Sequence, residues 1–319
     1  MRLNEAQIKQ YFDDGFLVVE DVFTDKDLQP VLNDFEVLVD EWTDKLYKGG
    51  KIKNIYKDED VYTRLASIER EWPNAAALIA SRMGMRPALV NLWCSKKLLD
   101  TAEQFLGTDI VGHPTSVIRT KTPRTALMTV PWHQDAAYFA EVSEVIPLQP
   151  TAWIPFVDTT VKNGTLQLMP GSHRSREIFP HHLERDVGHK KSWYLYIAED
   201  DLPSGNQVTC DVKKGSILWH GNLMVHRSTE NYSDKIRWSC DLRYQRPNEP
   251  TGFPAEMKLP PMRKANDPSF RLDWEHWSAQ QSFDQSIEKY RELQDDEFDF
   301  SAPGASWLTR WQKYWEAQT

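Results

Sequence analysis

From about residue 110 to Pro247 the chain breaks into short runs rich in Val, Ile, Thr, Trp and Tyr, interrupted by Pro, Gly and Asn. Runs of that length and composition read as many short strands, which must close into a sandwich or barrel to cover their edges. The flanks have a different period. Asn4 with Gln7 forms a capping box ahead of Ile8, Tyr11 and Phe12; Gly15 ends that spacing, and Phe16-Leu17-Val18-Val19 follows as a strand. Thr24 with Asp27 starts a second helix striped by Leu28, Val31, Leu32, Phe35, Leu38, Val39 and Trp42, with Pro30 either kinking it or marking its first turn. Residues 46–62 are polar and glycine-containing, as suits an exposed loop or a mobile lid, and a further helical stretch is expected from Ala75 to Leu106. After Ser306, Trp307, Trp311 and Trp315 give a final helix one aromatic face, which would dock on the domain, meet another subunit or cover the active site. The expectation is one domain over residues 1–319: mainly β with flanking helices, helical over 1–109, stranded over about 110–247, and helical again in a Trp-rich extension over 248–319.

Composition narrows the function. The net charge is -9 and there is no basic cluster, so the footprint that nucleic-acid phosphates reward is missing. No apolar run is long enough for a membrane span, and Met1-Arg2-Leu3-Asn4-Glu5 runs into a polar amphipathic stretch rather than a leader, so a soluble, cytoplasmic protein is expected. Cys94, Cys210 and Cys240 are far apart and odd in number, as for reduced thiols rather than disulfides or a zinc-thiolate site.

Only two of the nine histidines stand two residues before a carboxylate, the spacing that sends both side chains to one face of a strand. His182-Leu183-Glu184 lies in a charged segment that reads as a solvated loop. His133-Gln134-Asp135 sits between Leu127-Met128-Thr129-Val130 and Ala136-Ala137-Tyr138-Phe139, an apolar setting that excludes water. Two imidazoles and one carboxylate on one face of a metal leave three positions open, which suits non-haem Fe(II). The second imidazole is then His220 or His226, and parity does not choose between them. Arg237 does. If Asn231-Tyr232-Ser233-Asp234 closes a hairpin pairing Glu230 with Lys235, Ser228 lies opposite Arg237, and His226 shares that face. A metal site beside a guanidinium and a hydroxyl fits a dicarboxylate that chelates at one end and takes a charge-assisted pair at the other.

Trp132-His133-Gln134-Asp135, the stretch Asn163-Gly164 through Pro170-Gly171-Ser172-His173, and Lys214-Gly215 through His226-Arg227-Ser228 to Arg237 together resemble the phytanoyl-CoA dioxygenase family, which includes ectoine hydroxylase. Asp14-Gly15-Phe16-Leu17-Val18-Val19 is similar to that family's start, so the resemblance spans residues 4–247. It implies a double-stranded β-helix, the cupin-like jelly roll, using Fe(II) with 2-oxoglutarate and O2 as co-substrates. By the same resemblance His133, Asp135 and His226 bind the metal, Arg237 anchors the far carboxylate with Ser228 in support, and Val117, Arg119 and Trp153 line the co-substrate's place. Gln134, Tyr138, Phe139, Trp219 and Arg243 are the candidates for the substrate pocket. Arg227 departs from the glycine usual in the family, and an outward salt bridge would account for it.

The implied chemistry is oxidative decarboxylation of 2-oxoglutarate to succinate and CO2, coupled to attack on an unactivated C–H bond of a small metabolite or natural-product intermediate. Hydroxylation is the expected outcome; desaturation and ring closure branch from the same chemistry. Because Asp135 fills a ligand position, no site is vacated for halide. A small-molecule substrate is the expected partner, with monomer and homodimer both open. Two rivals keep the jelly roll: a cupin-like metalloenzyme that does not use 2-oxoglutarate, which leaves Arg237 unexplained, and a catalytically silent binding protein.

Overall fold

In a computed structural model, residues 1–279 are described, other than 74, 82–83, 114, 126–127, 139–145, 184–185, 188–189, 192–193 and 252–258. The helices are α1 (Glu5–Asp14), α2 (Asp25–Lys48), α3 (Arg64–Glu71), α4 (Ala75–Ser81), α5 (Pro87–Trp93), α6 (Lys96–Leu106) and α7 (Trp274–Ala279). The strands are β1 (Phe16–Val19), β2 (Ile110–Gly112), β3 (Val117–Lys121), β4 (Pro150–Pro155), β5 (Leu166–Leu168), β6 (His182–Leu183) and β7 (Asp186–Val187). After these come β8 (Lys190–Lys191), β9 (Leu195–Tyr196), β10 (Val208–Cys210), β11 (Ile217–Gly221), β12 (His226–Ser228), β13 (Arg237–Gln245) and β14 (Pro261–Arg263).

The larger sheet runs β1-β11-β4-β13-β2-β14, with β3 also paired to β13, and a three-stranded sheet runs β10-β5-β12. Phe16, Trp153, Leu168 and Leu218 pack together between the two sheets, which gives the jelly roll its interior. The outer face of the larger sheet carries the helices. Along β13 the even-numbered residues Trp238, Cys240, Leu242 and Tyr244 are fully buried in the helix-covered core, where Phe35 of α2 stacks on Trp238 at 4.4 Å. The odd-numbered residues face inward and are polar.

Local chemistry explains the helices. The α1 capping box forms as expected, and Gly15 ends the helix at φ 83°. Helix α2 starts at its Thr24–Asp27 box and runs on through Pro30, with Leu28, Val31, Leu32, Phe35, Leu38 and Val39 buried along one face. Each such side chain contributes about 1.5–3 kcal/mol when fully buried. The single stretch expected over 75–106 is three helices, because Pro87 and Ser95 begin new ones.

Beyond the end of α2 residues 49–62 are a mostly exposed loop, as expected, but one pinned to the core rather than free as a lid. Helix α2 continues to Lys48, Ile52 and Val61 are buried, and the Tyr62 hydroxyl and the Val61 carbonyl are bonded to the Phe156 carbonyl and the Trp238 indole at 3.1 and 3.0 Å. The β region also outlasts Pro247, since β14 pairs with β2. The extension from 248 is accordingly not purely helical; Trp274 and Trp277 of α7 stack 5.2 Å apart, and Trp307, Trp311 and Trp315 lie outside the described residues. No described helix is long and apolar enough to cross a membrane, and all three cysteines are free.

Gly215, just before β11, has φ +86°, and a Cβ there would fall 2.2 Å from the Phe23 carbonyl oxygen. Gly215→Ala should therefore cost at least about 1–2 kcal/mol from the left-handed backbone alone. A lower denaturant midpoint checks this.

Candidate metal and co-substrate site

The backbone brings the two histidines together directly. Residues 133 and 226 exchange both N–H···O bonds, each 3.0 Å, and the pair is an isolated antiparallel bridge beside β12. Side chains directly opposite share a face. The rings accordingly lie 4.2 Å apart. Each Nδ1 faces a backbone carbonyl, Pro131 O at 2.8 Å for His133 and Met224 O at 2.9 Å for His226, and since a carbonyl only accepts, each Nδ1 carries the hydrogen. Both Nε2 lone pairs are thereby left for a metal.

Asp135 is not on a ladder. It opens a short 3-10 turn, Asp135–Tyr138, which swings its carboxylate back toward the imidazoles. Oδ1 lies 3.4 Å from His133 Nε2 and 4.0 Å from His226 Nε2, while Oδ2 accepts from Arg243 Nη2 at 2.8 Å and Nε at 3.1 Å. Burial alone would raise this carboxyl's pKa, yet Arg243 and the two imidazoles hold it well below the usual carboxylate range. Burial, with His133 and His220 beside it, keeps His226 well below the usual imidazole value. One ligand atom from each residue can be chosen so that all three lie within 4.8 Å of one another. An anionic oxygen and neutral nitrogens converging from one side fit a divalent metal.

Deeper in the same cavity are two cations. Arg237 donates to the Gly164 carbonyl at 2.9 Å and to Ser239 Oγ, and its Nε is buried with no acceptor. Lys121, directly opposite Arg237 across the β3–β13 ladder, donates to Ser228 Oγ and Thr129 Oγ1, both at 2.9 Å. Neither cation has a carboxylate within ion-pairing distance among the described residues. Burial pulls both below their usual pKa ranges, Arg237 to about 9. Gly164 makes room for them: a Cβ there would come within 2.9 Å of the Lys121 chain.

The cavity also has Trp153, Leu166, Tyr194 and His220 in its wall. Trp153 lies 5.4 Å from the Arg237 guanidinium. Arg119 lines the wall and is paired through Nε to Asp241 at 3.0 Å, whereas Val117 stands at the outer end of β3 and is not among the lining residues.

Several expected pocket residues are elsewhere. Gln134 is fully buried, with its side chain bonded to the Glu177 and Leu223 carbonyls and the Phe179 N–H, so it braces a loop rather than meeting substrate. Trp219 points to the helices, edge-on to Phe105 at 5.6 Å, because its neighbours Leu218 and His220 take the inward positions of β11. Arg243 is engaged by Asp135, Asp241 and the Thr115 carbonyl and is not free to receive an acid. The Tyr138 hydroxyl accepts from Leu195 N at 2.8 Å and its ring meets His133 at 5.9 Å. Phe139 lies outside the described residues. Arg227 does face outward, but over the Trp132 ring at 4.7 Å and bonded to Gln167, with no salt bridge among the described residues.

The expected hairpin is absent as well. β12 pairs with β5 and β13 with β3 and β4, so Ser228 and Arg237 meet across the sandwich rather than along a ladder. His182 lies on short strand β6, bonded to Asp201. Lys121 and Asp241 line the cavity unforeseen, although the parity that turns Arg119 inward also turns Lys121, and His220, the alternative second imidazole, lines it too.

The family model for phytanoyl-CoA dioxygenase matches residues 11–239, most of the chain. The chain belongs to the phytanoyl-CoA dioxygenase family. With it comes the class of iron- and 2-oxoglutarate-dependent oxygenases. The chain is 26% identical over 233 residues to a probable alpha-ketoglutarate-dependent hypophosphite dioxygenase of Stutzerimonas stutzeri, covering 71% of this chain and 73% of that one. It is 24% identical to the ectoine dioxygenase of Bordetella bronchiseptica, covering 76% and 75% of the two chains, and 23% identical to the rat peroxisomal phytanoyl-CoA dioxygenase, covering 76% and 68%. Among solved structures, the non-heme monooxygenase ThoJ shares the fold at TM-score 0.58 and 18% identity over 98% of both chains. EctD from S. alaskensis shares it at TM-score 0.51 and 16% identity over 77% of each chain.

Arg243→Met leaves Asp135 without its orienting partner, and loss of such support costs about 10–100-fold in metal affinity. Titration of the purified protein with Fe(II) or Ni(II) reads that loss directly.

Proposed function

We propose that this family member hydroxylates an unactivated C–H bond of a small metabolite or natural-product intermediate, with His133, Asp135 and His226 holding Fe(II). Arg237, Lys121 and Ser228 hold the far carboxylate of 2-oxoglutarate. The observation that carries this reading is the pair of buried cations lacking a carboxylate, in the same cavity as a His-Asp-His cluster. Unpaired buried ions cost several kcal/mol each, and a carboxylate at that depth supplies the missing charge and the acceptor that Arg237 Nε lacks.

When bound, iron and 2-oxoglutarate supply the oxidising chemistry, with succinate and CO2 as by-products. The chain's own residues bind, orient and exclude water. Arg243 fixes the Asp135 carboxylate so that only Oδ1 faces the imidazoles. Met128, Val130, Trp153 and Leu166 wall the co-substrate's place with apolar surface, which strengthens the charge-assisted bonds inside. Gly164 offers its carbonyl to Arg237 and no side chain to block Lys121.

The test is succinate release from 2-oxoglutarate. It should require Fe(II) and fall to background in Asp135→Ala and His226→Ala; iron-independent release, or none with any substrate while 2-oxoglutarate fails to bind, sinks the reading. Lys121→Met removes a charged bond worth about 1.5–3 kcal/mol and should raise the Kd for 2-oxoglutarate roughly ten- to a hundredfold.

A pH effect follows from the same lysine. Its pKa is lowered in the free protein, and a bound carboxylate favours the ammonium and raises it again. Between the two values binding takes up a proton, so affinity for 2-oxoglutarate should fall as pH rises through the free-protein value. Calorimetry in buffers of different ionisation enthalpy should show uptake in the wild type and less in Lys121→Met.

A further inference from the structure

We propose that Arg119 receives an anionic oxygen group of the primary substrate, so that the enzyme acts on carboxylate-, sulfate- or phosphate-bearing molecules rather than on neutral ones. The inference rests on the reading of the cavity given above and deepens it.

Charge is the first support. The inward side chains of β3 and β13, together with the metal-binding turn, carry four cations, Arg119, Lys121, Arg237 and Arg243, against two carboxylates, Asp135 and Asp241. A divalent metal and dianionic 2-oxoglutarate cancel each other. The surplus of two positive charges from these residues therefore survives full loading. A low-dielectric cavity with an uncancelled surplus attracts an anion and disfavours a neutral or cationic guest.

Position is the second. Lys121 stands opposite Arg237, whereas Arg119 stands opposite Ser239, two residues and about 7 Å back along the strand. The far carboxylate of the co-substrate belongs to the Lys121–Arg237 level, and its other end belongs to the metal. Arg119 is left over.

The third support is the free end of the side chain. Arg243 spends its guanidinium on Asp135, Asp241 and Thr115 and its side chain is 4% exposed. Arg119 bonds only through Nε, to Asp241 Oδ2, and its side chain is 25% exposed in the cavity wall. Its two terminal nitrogens have no hydrogen-bond acceptor among the described residues. Asp241 is shared with Arg243, so this carboxylate orients Arg119 without exhausting it. A guanidinium fixed at Nε with both outer N–H groups presented is shaped for two oxygens of one anion. Tyr194 and His220 share the wall, and His220 Nε2 likewise has no hydrogen-bond partner among the described residues.

The experiment uses the full chain loaded with Ni(II), which does not turn over, and 2-oxoglutarate, with sulfate as probe at constant ionic strength. Calorimetry first gives the Kd for 2-oxoglutarate and then that for sulfate. Arg119→Gln should weaken sulfate at least about tenfold, the loss expected for a charge-assisted pair, and leave the Kd for 2-oxoglutarate within about twofold. Arg119→Lys keeps a cation for Asp241 and guards against a folding defect; an ammonium held there has no fork to spare, so sulfate should still weaken severalfold. No sulfate binding in the wild type, or equal binding in both variants, overturns the proposal. So does a tenfold loss of 2-oxoglutarate affinity in Arg119→Gln with sulfate unchanged, which would give Arg119 to the co-substrate. Failure of 2-oxoglutarate to bind the wild type instead sinks the underlying reading, and it shows before sulfate is added. A second arm reads succinate release with Fe(II) across acids paired with their amides or esters: the acids should stimulate it, and a neutral member doing as well as its acid overturns the proposal.

Discussion

Strand β13 is buried along all nine of its residues and yet is polar on one side, and the rest of the architecture follows from that. Trp238, Cys240, Leu242 and Tyr244 can face outward only because α2 and its neighbours cover them. Arg237, Ser239, Asp241 and Arg243 can face inward only because each finds a partner or a ligand there. Asp241 joins Arg119 to Arg243, and Arg243 joins Asp241 to Asp135, so a chain of ion pairs links the middle of the sheet to the turn that carries Asp135. Breaking one link strands a buried charge, which is why the links hold direction so well.

The chain stops short of Arg237 and Lys121, which have only neutral acceptors. A structural protein would gain by replacing such a pair with apolar side chains of similar size. Retaining both carries a cost in stability that the proposed co-substrate carboxylate would offset. Buried cations hydrogen-bonded by hydroxyls and a carbonyl are already oriented, so an entering carboxylate meets donors that need little rearrangement.

Much of this was legible in the sequence, but not always for the right reason. Alternation along a strand correctly turned Arg119 and Arg237 to one face, since period-two geometry survives whatever the strand pairs with. The inferred hairpin between Ser228 and Arg237 failed because Asn231 donates to both the Lys121 and Lys235 carbonyls, and the chain there passes from one sheet to the other. A four-residue turn signal cannot tell a hairpin from a crossing between sheets. Trp219 failed differently: aromatic character suggested a pocket, while the parity of β11 puts it against the helices and His220 inside. Asp135 comes beside the two imidazoles by a 3-10 turn rather than by strand alternation, so the H-x-D residues cluster without the geometry their spacing suggested. The loop at 46–62 looked mobile because its polar residues are visible in sequence, whereas the bonds that pin Val61 and Tyr62 come from residues 156 and 238.

The choice between His220 and His226 shows what tertiary structure adds. Both are buried, both point into the cavity, and their rings are 4.5 Å apart. What separates them is the backbone. His226 exchanges two hydrogen bonds with His133 itself, so the relative placement of the two imidazoles is set by main-chain geometry and does not depend on side-chain packing. His220 belongs to β11 in the opposite sheet, with Phe16 and Thr151 as its ladder partners, and its Nδ1 meets the Gly221 carbonyl at 3.3 Å. A metal site needs ligand atoms held to fractions of an ångström, and a position pinned by paired backbone bonds meets that demand better than one held across the width of a sandwich. His220 accordingly stands in the cavity wall outside the His133–Asp135–His226 cluster, with Arg119 in the same wall.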